Sequence, residues 1–167
     1  MERAVLHRAT ARAAALGLTD AEAFAGASYL ITRGGTVLGA LVSGRATDAR
    51  LDGHEKTCFQ AIVLPGITTP DVVLTVGRWP WANEDCHGIV ALGLLPSRPG
   101  VVEVGILYDG AARDAGRTEP VVLAWRRGQA PEIDFAATRR SAAAGATTLA
   151  EMRRLALGKR VSAPPSP

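Results

Sequence analysis

The sequence predicts one α/β domain, and three observations carry that class. Helix-period and strand-like segments alternate along the chain in the order α-β-β-α-β-α-β-β-α. The 167 residues, 47% apolar and 21% charged, suffice to bury one ordinary core. Glycine and proline punctuate the segments at Gly34-Gly35, Pro65, Pro96 and Pro99-Gly100. Helices separated by strands imply a sheet covered on both faces, with some parallel pairing. The domain is expected over residues 1–160, with 161–167 a disordered tail.

Residues 3–16 read as a helix, because Val5, Ala9, Ala13 and Leu16 recur near the 3.6 period and Gly17 follows as a C-cap. Thr19 or Asp20 is placed to cap a short turn through Ala25. Residues 27–33 and 36–43 read as two strands joined at Gly34-Gly35, where both positions tolerate positive φ. After a polar stretch, Gly44–Gly53, the spacing of Cys58, Ala61 and Ile62 predicts a helix over His54–Val63 with Asp52 as N-cap. Asp71–Val76 is rich in Val and Leu and reads as a buried strand, and Trp79–Asn83 as a loop. Glu84–Leu95 reads as a second central helix with acidic residues at its start. Strands are expected at Val101–Tyr108 and Val121–Arg126, where Trp125 alternates with apolar neighbours as a core residue. A C-terminal helix is expected within Phe135–Leu157, broken near Gly145.

Composition narrows the function classes. No apolar run approaches the roughly 20 residues of a membrane helix. Met1–His7 has no long apolar core ahead of a cleavage site, so a soluble, cytoplasmic protein is expected. The net charge of +3 comes almost wholly from arginine, since Lys56 and Lys159 are the sole lysines. No block of five or six like charges appears, and Arg153-Arg154 through Lys159-Arg160 reads as a solvated helix face. Nucleic acid is therefore not the expected partner. Two cysteines make no disulfide framework, and a cytosolic compartment would keep both reduced.

The polar chemistry concentrates in Asp52–Cys58 and Trp79–His87, which hold both cysteines and two of the three histidines. On a helix His54 and Cys58, four apart, share a face and suit one metal ion. Cys86 would supply a third ligand, leaving a position for water or substrate. Glu55 stands beside that water as the proton carrier, and Trp79 and Trp81 are placed to stack on a planar ring. Other readings remain open: Cys58 as a small core residue, His54 as a polar helix start, and the two tryptophans as a seal over a core edge. Cys86 at a helix start also suits a thiolate nucleophile with His54 as base, although Glu84 and Asp85 oppose that ionisation.

The element order, with a hairpin first and polar residues at two successive helix starts, resembles the cytidine deaminase-like superfamily. Asp52-Gly53-His54-Glu55-Lys56-Thr57-Cys58 stands where that family carries its His/Cys-x-Glu motif, and Trp79–His87 where it carries Pro-Cys-x-x-Cys. The resemblance covers roughly residues 3–110. It departs in register: His54 and Glu55 are adjacent, and Asn83 stands three before Cys86. It implies a three-layer α-β-α sandwich with a mixed central sheet, and a diverged hydrolase on that fold would use the zinc set read from spacing, His54, Cys58 and Cys86, with Glu55 as the catalytic residue. Trp79, Trp81 and Asn83 would then contact a small planar amino-heterocycle hydrolysed by metal-activated water, in a homo-oligomer. The alternatives are a zinc-free binding or assembly module on the same fold, and a metal-free thiol enzyme.

Overall fold

Ala9 and Ala13 lie one helical turn apart, and a helix that buries only alanines can approach a sheet closely. In the computed structural model, which describes residues 2–48, 56–76, 85–112, 115–126 and 129–161, this is what α1 (Arg3–Ala15) does. Contacts divide the chain into two compact units. One comprises Met1–Gly88 with Asp109–Arg117, the other Ile89–Tyr108 with Thr118–Pro167.

The first unit carries β1 (Leu18–Ala23), β2 (Tyr29–Arg33), β3 (Thr36–Asp48), β4 (Lys56–Val63) and β5 (Asp71–Leu74). The order is β1-β3-β4-β5, with β2 also on β3, and every pairing is antiparallel. Strand β3 is long enough to take β2 along its first half and β1 along its second, while β4 pairs along its other side from Ala40↔Val63 to Thr47↔Lys56. The turn between β2 and β3 is Gly34-Gly35, with φ of 54° and 80°, the conformation that a tight hairpin demands and glycine supplies.

Period-2 alternation then sorts the faces. Ala40, Val42 and Ala46 of β3, with Phe59, Ala61 and Val63 of β4, pack under Ala9, Ala13 and Leu18. The opposite face presents Leu41, Ser43, Cys58, Gln60 and Ile62, all buried. Its polar members are satisfied. Ser43 Oγ donates to Gln60 Oε1 at 2.8 Å, Ser43 N donates to Ser28 Oγ at 3.2 Å, and Ser28 Oγ donates to the Phe24 carbonyl at 2.8 Å.

The second unit is built on a meander. Strands β6 (Asp85–Leu95), β7 (Val101–Ala112), β8 (Ala115–Arg126) and β9 (Glu132–Ile133) lie in chain order in one sheet, and the first three run through both units. Helices α2 (Phe135–Ala143) and α3 (Leu149–Val161) contribute to a core of Leu95, Leu107, Val122, Ala146 and Met152, with Ala91, Ala137 and Leu155 packed against it. Between the helices Gly145 takes φ 63°, which breaks the helical run where the sequence predicts. Trp125 is buried on β8, also as predicted. The Asp134 side chain caps α2 by accepting from Ala137 N at 2.8 Å.

Helix α3 starts with a capping box. Thr148 Oγ1 accepts from Glu151 N at 3.2 Å, and Glu151 Oε2 accepts from Thr148 N and Thr147 N at 3.0 and 2.8 Å. These backbone and hydroxyl donors hold the exposed Glu151 carboxyl below its ordinary value of 4.5. A carboxyl depressed on folding stabilises the native state above its unfolded pKa, and that contribution is lost as pH falls through the folded value. We therefore expect the start of α3 to fray as pH drops below about 4.5, and Glu151→Gln to flatten that dependence. Amide exchange at Thr147 and Thr148 reads it, and equal acid fraying in the variant would contradict it.

The structure corrects the sequence reading at five places. His54–Val63 is not a helix: its described part, Lys56–Val63, is β4, buried along nearly its whole length. Asp85–Leu95 is the strand β6, not a second central helix. Leu18–Ala23 is a strand instead of a capped turn, and β3 continues to Asp48 through part of the expected polar stretch. In place of one mixed sheet there are two, and the α/β class is met by antiparallel sheets with helices packed on them. The two lost helices have different reasons. Strand β4 is a short apolar run buried on both faces, which loses its alternation, so its i, i+3, i+4 matches arise by chance. Strand β6 keeps exposed positions at Val90 and Leu94, and its leucines and alanine favour a helix until pairing with β7 overrides them. The expected tail and the Trp79–Asn83 loop lie outside the described residues, apart from Val161.

Candidate functional site: the cysteine pair

Cys58 and Cys86 meet. Cys58 sits at the third position of β4 and Cys86 at the second of β6, with Cα atoms 5.3 Å apart, and their sulfurs are joined as a disulfide. Both residues are essentially inaccessible, at 0% and 1% exposure.

Residues just past β5 fix both backbone groups of Cys58. Cys58 N donates to the Val76 carbonyl at 2.8 Å, and the Cys58 carbonyl accepts from Thr75 N at 2.8 Å and from Thr75 Oγ1 at 3.1 Å. Thr57 Oγ1 donates to the same Val76 carbonyl at 2.9 Å. Residues just past β5 thus continue its pairing with β4 and hold the cysteine backbone rigidly. At the start of β6, Asp85 Oδ1 accepts from Lys56 N at 2.9 Å, a second tie between the two strands beside the disulfide. Lys56 Nζ in turn donates to Thr47 Oγ1 at 2.8 Å.

The arrangement has clear chemical limits. A disulfide sulfur is neither a thiolate ligand nor a nucleophile. Cys58 and Cys86 therefore do not fit zinc as they stand, and the expectation that both are reduced is corrected to a bonded pair. His54, Glu55, Trp79, Trp81 and Asn83 lie outside the described residues. Among the described residues, no three His, Cys, Asp or Glu side chains converge as metal ligands do. His87, next to Cys86, is exposed. The buried Ser43 hydroxyl meets an amide oxygen, not a base, so it has no partner to make it a nucleophile. A recess in the second unit, lined by Leu95, Glu103, Val122, Arg140, Ser141 and Met152 among others, has room for about one water and none for a heterocycle.

Sequence reasoning missed the bond for a physical reason. The cysteines stand 28 residues apart, and only knowing that both segments are strands shows that their side chains meet. The even cysteine count was the available signal. No helix among the described residues is long and apolar enough to cross a membrane. No family model, curated protein or solved structure matches the chain.

Proposed function

We propose that the chain is a binding or assembly module whose cysteine pair is a structural staple. One observation carries this: the two residues best suited to hold a metal or attack a substrate are bonded to each other and buried. A catalytic disulfide must be reached by an attacking thiolate, and both residues of this one are buried. Disulfides persist in oxidising compartments, so the same observation favours a site of action outside the reducing cytosol.

The competing reading is the deaminase-like sandwich acting as a zinc hydrolase on an amino-heterocycle. Its support is the run Asp52–Cys58 and the nearness of Cys86 to Cys58. It needs Cys58 and Cys86 as thiolates, with His54 and Glu55 beside them.

Zinc content separates the two, measured by mass spectrometry on chelator-free protein before and after mild reduction. We expect no zinc in either sample and no ammonia released from amino-heterocycles. Near-stoichiometric zinc that disappears in a His54→Ala/Cys86→Ala variant would overturn the module and establish the hydrolase.

A further inference from the structure

Along the sequence the basic residues of the C-terminal segment fall in separate pairs, Arg139-Arg140, Arg153-Arg154 and Lys159-Arg160. Folding gathers them. All six lie on α2 and α3, which pack against each other, and Glu151 is the sole acid of those two helices. The helices thus carry a net +5, while the rest of the chain sums to −2. Glu151 feels the charge of Arg154, but its carboxylate is held at the start of α3 by Thr147 and Thr148. Arg139, Arg140, Arg153 and Arg154 are all exposed. Arg140 lines the recess together with Leu155 and Ala156, so it marks the flank of α3 that faces α2. Arg153 Nε donates to the Leu94 carbonyl at 3.1 Å and marks the flank that faces β6. Arg154 follows Arg153 by about 100° of helical turn, which puts it on the outer side between those flanks. Among the described residues Arg139 and Arg140 make no ion pair, although Glu103 lines the same recess as Arg140.

We propose that this arginine surface binds the sugar–phosphate backbone of a nucleic acid without reading its sequence. A guanidinium fork fits phosphate oxygens two at a time, and several on one surface can meet successive phosphates. An anionic membrane offers the same charge, but it holds an interfacial helix chiefly by the apolar face of that helix. Here the apolar faces are already committed: Leu149, Met152, Leu155 and Ala156 of α3 and Ala137 of α2 are packed in the core. What the two helices leave outward is charge, and charge selects a phosphate backbone. The inference rests on the binding-module reading and names its partner.

Fluorescence anisotropy of a labelled DNA duplex of arbitrary sequence, with the intact, oxidised chain, tests it. We expect a dissociation constant on the order of 10 µM at about 50 mM salt, weakening about twentyfold by about 150 mM, the slope of roughly three phosphate contacts. R140Q/R154Q should weaken binding at least tenfold and lower the salt slope by about two. R3Q/R98Q removes the same charge at exposed positions off these helices and should weaken binding less than about twofold. Should R140Q/R154Q fail to fold, R154Q alone decides, by a salt slope lowered by about one or unchanged. No binding by the wild type at about 100 µM in the lower salt, equal losses in the two double variants, or an unchanged slope would overturn the proposal. So would sedimentation with phosphatidylserine-containing vesicles under conditions that leave the duplex unbound, which would assign the surface to a membrane. An intact disulfide in a chain that ignores the duplex would sink this partner alone, whereas zinc on free thiols would sink the module reading and leave the duplex result standing.

Discussion

Replacing Cys58 and Cys86 together by alanine is expected to lower stability by about 3–4 kcal/mol. The disulfide closes a loop of 28 residues' separation, and the chain-entropy relation for a loop of that length gives this magnitude. Under that relation the loss acts on the unfolded chain, which gains freedom that the native state never had. A second consequence separates it from an ordinary packing defect. The uncrosslinked unfolded chain exposes more surface, so the urea m-value should rise while the midpoint falls. Because both cysteines are buried, reductant applied to the folded protein should act only as fast as β4 and β6 part. Urea melts of the wild type and the double variant, with and without reductant, check this. An unchanged midpoint, or a wild type insensitive to reductant even when unfolded, would contradict it.

Gly44→Ala is expected to destabilise the first unit by about 3 kcal/mol or more, although it adds one methyl group. Gly44 lies in β3 between β1 and β4, in register with Ala23 on one side and Phe59 on the other. A Cβ built there collides with the Phe59 ring and the Glu22 carbonyl oxygen. Phe59 is fully buried in the core under α1, so the ring has nowhere to turn. The Glu22 carbonyl is backbone of the paired strand β1 and moves only if the ladder moves. Adding Phe59→Leu should therefore recover part of the loss and not all of it, since it clears the ring and leaves the carbonyl. Thermal melts of the single and double variants decide, and a neutral Gly44→Ala would show that β1 is not held where the structure has it.

How much of this was legible depended on whether a segment's signal was local. Helix α1, the Gly34-Gly35 hairpin and the break at Gly145 are written in short-range chemistry, namely period, positive φ and a cap, and the sequence shows each of them. The capping box of α3 was equally readable in Thr148-Leu149-Ala150-Glu151. Strands β4 and β6 were not, because their conformation is decided by partners far away in sequence. Leu92, Leu94 and Leu95 favour a helix in isolation, and pairing with β7 overrides that preference. Read as helices, those two segments put Cys58 on a face beside His54 as two of three metal ligands, whereas in the structure its side chain meets Cys86 across two strands. Both cysteines stand out in the sequence, whereas the bond between them follows only from the strands that carry them.

The staple is tested most directly by peptide mapping of protein prepared without reductant and alkylated in guanidinium. Trypsin cuts after Lys56 and Arg78, which puts Cys58 and Cys86 on separate peptides. The account predicts one cross-linked pair joining those two peptides and no alkylated cysteine. Two fully alkylated cysteines would contradict it, returning both sulfurs to the pool of available ligands and nucleophiles.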